Sequence, residues 1–578
     1  MFSRISLSLA GATLLSLVGT AGEIQPLWPE GKMPASGPDQ VAAPLNEVEA
    51  PGFDRNAHRM PYLEWEPAPA ESNRTGACVI LISGGGYACT CDGPAFQPLK
   101  HELMKAGVQC VWLWYRNPTA KGTPNYATAW ADGQRAVRLV REAAASRGFD
   151  PERIGTLGCS AGSHLSVLLG TSSQTPAYAP VDATDELPCH INWAIPMCPA
   201  YVLSDGLTDA NSAGGEGVTM SDAFKFDART CSMCFFHGGR DPYSPLGSTA
   251  LYRKLRTMGV PAELHLLADR GHGPVDAASF GRAIEYMRQM GFLGPLAPEV
   301  DVMERFASDA DRASYEREDV WPEGKMPDVQ TNQCTPYIEW HLPKELRTKA
   351  IQVIYSGGAY IGNGPESFEV TPVRRYLNAR GMAVVTLCYR TPRPEGMPKH
   401  VTAWQDLQRA IRIVRAGAER RGLDPNRIGL MGSSAGGHLT LMGALSSHSC
   451  AYHPIDELDK LPCHVQLGVG IYPAYVLTDG ADGRNAHGGN RDEDVLVDEL
   501  AFDRSSCPMV FVHGDADGYA AMGSVRCWEE LRRRGVQCDL HTLALRNHCF
   551  GQKASPGTGS YTYCDRIWEF MTKKGFNK

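Results

Sequence analysis

Short, wholly apolar runs alternate along this chain with longer stretches in which apolar positions recur every three or four residues. Val79–Ile82, Val108–Trp114, Ile154–Leu157 and Glu263–Leu267 have the length and branched composition of buried strands. Gln352–Tyr355, Ala383–Cys388 and Ile428–Met431 repeat the pattern later in the chain. Between such runs, Trp404, Leu407, Ile411 and Val414 fall on one face of a helix, as do Trp130, Gly133, Val137 and Val140. Strand and helix in alternation predict an α/β fold, a mostly parallel sheet covered by helices on both faces. Ligands of such sheets sit at the carboxyl ends of the strands.

The pattern occurs twice. Trp28–Pro34 returns as Trp321–Pro327, and Ala129–Leu165 matches Ala403–Leu439 without a gap at 23 of 37 positions, too many for coincidence. Each copy has the size of one α/β domain, far above that of a solenoid repeat. The expected organisation is a signal peptide over residues 1–21, one domain over 22–293, a polar, acidic linker over 294–319 and a second domain over 320–578.

Composition narrows the class. Of 578 residues, 43% are hydrophobic and 21% charged, as in ordinary globular proteins. A net charge of -8 offers no basic footprint for nucleic acid. Beyond the N-terminus no apolar run is long enough to span a bilayer, so no stable membrane insertion is expected. Met1–Arg4 is basic, the run to Ala21 is apolar and small, and Gly19-Thr20-Ala21 suits a signal peptidase. This predicts export to a secreted or periplasmic location, with the mature chain starting near Gly22. Export permits disulfides, and Cys189 with Cys231 and Cys463 with Cys507 recur in register as possible bridges. Most of the 18 Cys stand singly in apolar runs, where they serve as small hydrophobes. Cys231 and Cys234 form C-x-x-C without a second pair at zinc spacing, so no metal is expected there.

The chemistry-bearing motif is also duplicated. Gly158-Cys159-Ser160-Ala161-Gly162 and Gly432-Ser433-Ser434-Ala435-Gly436 both read G-x-S-x-G between a strand and a helix, a setting that lifts a serine hydroxyl above the sheet. A serine hydroxyl needs a base, and the base an orienting acid. Asp241 and His272 supply them in the first copy, Asp517 and His548 in the second, with 31 residues from acid to base in both. Asp515 rivals Asp517, but its counterpart is Gly239, so the shared position favours Asp241 and Asp517. His164 and His438, one turn past each serine, read better as satisfied core histidines. His237 and His513 end strands, and either line the site or cap a turn. Donors for a developing oxyanion are expected from the backbone of Ala161 and Ala435 and from two glycine-rich loops, at Gly85 and Gly86 and at Gly358 and Ala359. Tyr87 and Tyr360 follow these loops and are expected to bind substrate. Ala359 in place of the third glycine is harmless if its φ is negative. No lysine follows the loops as a phosphate-binding loop requires.

With these motifs goes Tyr115-Arg116-Asn117-Pro118, matched by Tyr389-Arg390-Thr391-Pro392, and Ser434-Ala-Gly-Gly-His-Leu439. Together they resemble the α/β-hydrolases of the hormone-sensitive-lipase-like and feruloyl/acetyl-xylan esterase-like branch, here as two fused domains. The resemblance implies a Ser-His-Asp triad in each copy, no metal or cofactor, and small acyl esters as substrates, with acylated carbohydrate as the expected partner. Two other readings compete. One is a serine peptidase of the prolyl-oligopeptidase type, although no propeller-like repeat precedes the domain. In the other, one copy is a silent binding or scaffold domain. The histidine loops differ (His272-Gly-Pro against His548-Cys-Phe), which leaves equal activity of the two sites open.

Overall fold

A computed structural model describes residues 22–34, 60–90, 96–117, 119, 122–204, 219–273, 276–302, 315–478 and 495–578. The expected signal peptide lies outside these residues. The apolar runs form the expected strands, with small adjustments at their ends: Cys78–Ile82, Gln109–Trp114, Ile154–Cys159 and Ala262–Leu267 in the first copy, Ile351–Tyr355, Ala383–Cys388 and Ile428–Ser433 in the second. The helices Ala127–Arg147 and Val401–Ala418 bury the predicted stripe, including Val137 and Val140 in one and Leu407, Ile411 and Val414 in the other. Gly133 lets its helix approach the next one: a Cβ there would lie 3.2 Å from Leu165 and Leu169.

Each copy is a mostly parallel sheet. From Cys78–Ile82 to Ala262–Leu267, and from Ile351–Tyr355 to Cys538–Leu543, neighbouring core strands pair in parallel, and antiparallel strands flank the outer edge. The stretch expected to be a linker contributes to this architecture. Tyr315–Asp319 pairs with Tyr337–His341 as the edge strand of the second domain, and Val300–Asp301 pairs with Lys553–Ala554.

The two sheets are one. Ala262–Leu267 pairs antiparallel with Cys538–Leu543, joining the halves into a 16-stranded sheet whose strand order is mirrored about the joint. Backbone donors beyond the short ladder are taken by side chains across the joint. Ala268 N–H donates to Asp539 (2.7 Å), Ala544 N–H to Glu263 (3.0 Å) and Leu264 N–H to Thr542 (2.7 Å). Two edges that would otherwise stand open are thereby covered. Helices reinforce the joint through Arg566–Glu285 and Arg282–Glu569 ion pairs. Burial pushes the Glu263 carboxyl up to about 8 and that of Asp539 to about 6.

The repeated Trp and Tyr-Arg motifs are structural. Arg116 and Asp132 form a fully buried ion pair (2.8 Å), Trp28 Nε1 donates to Asp132 (2.8 Å), and Arg116 Nη1 donates to the Pro34 carbonyl (2.7 Å). Arg390, Asp406, Trp321 and Pro327 repeat the arrangement. A planar guanidinium saturates such a carboxylate where a lysine would not. The group ties the end of strand Gln109–Trp114, or Ala383–Cys388, to the helix that backs the nucleophile.

The possible disulfides are not formed: every described cysteine is a free thiol. Cys189 Sγ donates to the Ser173 carbonyl (3.2 Å) and Cys463 Sγ to that of Ser447 (3.5 Å). Cys231 and Cys234 belong to separate core clusters on opposite faces of the sheet.

Candidate active sites

The nucleophile turns are the same in both domains. Ser160 and Ser434 each have φ 56° and ψ -120°, a sparsely populated conformation between a strand and a helix. The flanking glycines make this turn sterically feasible: a Cβ on Gly162 would sit 2.2 Å from the Ile82 carbonyl, and one on Gly436 2.5 Å from that of Ser356. The helices beginning at Ala161 and Ala435 leave first-turn N–H groups without helical partners, beside the serine.

Both predicted triads come together. His272 Nε2 lies 2.8 Å from Ser160 Oγ, and its Nδ1 lies 3.0 and 2.9 Å from the Asp241 carboxylate oxygens. His548 Nε2 lies 2.7 Å from Ser434 Oγ and its Nδ1 2.8 Å from Asp517. The acids are buried, and each also accepts a backbone N–H at 2.8 Å, from Tyr243 and from Tyr519. Burial alone would raise the Asp241 carboxyl, but hydrogen bonds and charge from His237 and His272 hold it down at about 2. His272 itself is pulled down by burial and up by Asp241 and Cys198, and the net shift is upward.

His237 and His513 do not line the site; each caps the turn that carries the acid, with Nε2 2.8 Å from the carbonyl oxygen of Tyr243 or Tyr519. Each lies fully buried behind its acid, 3.2 Å from Asp241 or Asp517, with Nδ1 on a serine hydroxyl (Ser248 or Ser524, 2.8 Å). Asp515 leaves the site altogether. It accepts from Tyr252 (2.7 Å), Arg256 (2.8 Å) and the Ala262 N–H (3.1 Å), all residues of the first domain.

The glycine-rich loops pass over the serines: a Cβ on Gly357 would lie 2.6 Å from that of Ser434, and one on Gly84 3.0 Å from that of Ser160. Gly85 and Gly358 are required, with φ of 124° and 88° and carbonyls about where a Cβ would go. Ala359 corrects one expectation. Its φ is 56°, close to the 64° of Gly86, so the alanine is held in the left-handed region at a cost of about 1 kcal/mol. Tyr87 and Tyr360 correct another. Both rings are buried, with their hydroxyls against Nδ1 of His164 (2.8 Å) and His438 (2.9 Å). They brace the loop from behind rather than offer a surface to substrate. His164 and His438 are core histidines as expected, though Nδ1 of each serves the loop, and Nε2 of His438 has no hydrogen-bond partner among the described residues.

The sites differ in their surroundings. His548 packs against Tyr472 and Tyr519, His272 against Tyr243. Cys198 stands where domain 2 has Tyr472, with its Sγ 3.5 Å from that of Cys159. Glu369, which no sequence signal marked, accepts from the Gly357 N–H (2.7 Å) and the Tyr472 hydroxyl (3.1 Å), and burial raises its pKa.

Comparison with known proteins matches residues 67–190 and 338–498 to the family model described as BD-FAE. These segments hold the glycine-rich loop and the nucleophile of each domain, while the acids and bases lie beyond them. Esterase LipC of Mycobacterium tuberculosis is 27% identical over 220 residues, 35% of this chain and 53% of its own length. The acetylxylan esterase of Xylanibacter ruminicola is 28% identical over 131 residues, 21% of this chain and 26% of its own length. The chain thus spans about half or less of the length of these curated relatives. An acetyl ester-xyloside bifunctional hydrolase from Caldicellulosiruptor lactoaceticus superposes with a TM-score of 0.37 at 23% identity, over 46% of this chain and 97% of that one.

Proposed function

We propose that two fused α/β-hydrolase domains of the esterase type make up this chain and that both hydrolyse small carboxylic esters through an acyl-enzyme. The observation that carries this reading is the unbroken hydrogen-bonded Ser–His–Asp chain in each domain, seated on a strained nucleophile turn under a glycine-rich loop. Ser160 or Ser434 Oγ attacks the ester carbonyl carbon while His272 or His548 Nε2 takes its proton. The oxygen that becomes negative is met by N–H groups of Ala161 and the Gly85–Gly86 loop, or of Ala435 and the Gly358–Ala359 loop. The imidazolium, held by Asp241 or Asp517, passes the proton to the departing alkoxide. Water then repeats the sequence, with the imidazole as base, and frees the acid.

The substrate reading is acetyl or feruloyl groups on xylan-type polysaccharide, acted on outside the cytoplasm. The resemblance to carbohydrate esterases, the acetylxylan esterase among the relatives and the N-terminal apolar run support it. Acetylated xylo-oligosaccharides should release acetate faster than long-chain acyl esters or prolyl peptide bonds are cleaved in a side-by-side comparison of kcat/KM. A preference for either rival would overturn the carbohydrate reading. N-terminal sequencing of exported protein should begin near Gly22, and a retained Met1 in a cytoplasmic fraction would refute export.

A further inference from the structure

His400, His438 and Glu499 gather in the second domain, and of the three only His438 has its like in the first, His164. The repeat register places Tyr126, His164 and Ala223 at the same positions, the last pair fixed by Ser172 and Ser446 hydroxyls on the Ala223 and Glu499 carbonyls. One carboxylate oxygen of Glu499 lies 3.4 Å from His438 Nε2 and 3.6 Å from His400 Nδ1. Neither nitrogen has a hydrogen-bond partner among the described residues, and His438 is fully buried. A direct N–H···O bond would close to about 2.9 Å. Ligands about 2.0–2.2 Å from a tetrahedral ion stand about 3.3–3.6 Å apart, and both separations match that spacing.

We propose that His400, His438 and Glu499 form a binding site for a divalent transition-metal ion such as Zn2+, a set of two imidazoles and one carboxylate with a position left for water. The outer contacts suit the role. The Tyr360 hydroxyl lies 2.9 Å from His438 Nδ1 and can accept its proton, and in that tautomer Nε2 presents its lone pair to the ion. Glu499 keeps about a quarter of its side chain exposed, which gives the ion a way in from solvent. Lys399 turns its ammonium onto the Tyr475 ring, 4.6 Å from the centroid. The ion would tie the segment around Glu499 to His438, and through Tyr360 to the loop over Ser434. The first domain fills the same place with rings, His164 packing on Tyr126 and Phe224.

The test uses untagged full-length protein, stripped with chelator, dialysed and titrated with Co2+ and then Zn2+. One Co2+ per chain should bind with a Kd on the order of micromolar or tighter and show the d–d absorption of a low-coordinate N/O site. Zn2+ should displace it. His400→Tyr and Glu499→Ala install residues the first domain carries at these positions, so both should fold. Each should weaken binding roughly 100-fold or more while leaving the Tm of the stripped protein unchanged. Absence of stoichiometric binding overturns the proposal. So does binding that survives both substitutions, which would move the ion to another cluster such as Cys234, Glu263 and His265. None of these readouts depends on ester hydrolysis, so the metal site and the esterase reading fail separately.

Discussion

Asp515 and Asp517 stand two residues apart after one strand, yet the structure gives them unrelated tasks, and two isosteric substitutions separate these. The background carries Ser160→Ala, so that only the second domain turns over. Burial alone would push the Asp517 carboxyl up, but hydrogen bonds and charge from His513 and His548 overcome this and hold it well below the usual carboxylate range. Asp517→Asn keeps the volume but removes the charge that fixes the proton on His548 Nδ1. The imidazole can then turn its N–H toward Ser434 and lose the ability to accept the serine proton. The expected loss is about 10^4 in kcat, equivalent to about 5.5 kcal/mol of transition-state stabilisation. Asp515→Asn should leave kcat within about threefold. It removes the counter-charge of Arg256, whose side chain is only 13% exposed, and weakens the bond to Tyr252 across the domain joint. Breaking such a pair costs up to about 3–5 kcal/mol, so the Tm should fall by roughly 5 °C or more. The assay is initial-rate hydrolysis of a soluble acetate ester with circular-dichroism melting of each variant. A kcat loss at Asp515 equal to that at Asp517, with the Tm unmoved, would refute the assignment of both carboxylates.

The base works only as neutral imidazole, and the His272 pKa is raised, so with Ser434→Ala the acid limb of kcat/KM should have its midpoint above about 6.5, the ordinary histidine value. A midpoint well below it in a pH–rate profile would contradict the hydrogen bond to Asp241. In the same background Gly85→Ala should lower kcat about 100-fold or more by displacing the loop donors. Gly86→Ala should be tolerated, because Ala359 already occupies the equivalent conformation, and steady-state kinetics on the two variants decides between them. Glu263 has a folded pKa of about 8, above the 4.5 of an unperturbed glutamate, so its contribution to stability is full below the lower value and lost as pH rises through the higher. Glu263→Gln should therefore melt like wild type at pH 4 and above it at pH 9 in thermal scans.

The triads were legible in sequence because the chemistry confines Ser, Asp and His to loops after strands, and a second copy filters chance matches. Comparing Asp515 with Gly239 was enough to discount the wrong acid. Other features depend on geometry that periodicity does not carry. The sign of φ at Ala359 is set by the turn through Gly358. Whether Tyr87 and Tyr360 face outward or inward is decided by His164 and His438, far along the chain. Ala262–Leu267 looks like any buried strand, and nothing in its composition shows that its outer neighbour is Cys538–Leu543 of the other domain. Glu369 and Glu499 are isolated carboxylates that only folding brings to the site.

The antiparallel pairing at the joint has a geometric consequence. The core strands of one half run opposite to those of the other. Both serines sit at the carboxyl ends of their strands, so the two mouths open on opposite rims of the slab. On the proposed polysaccharide reading, two mouths on opposite rims would let one molecule engage two strands of the polymer at once, with a gain in avidity that grows with the density of sites on the polymer.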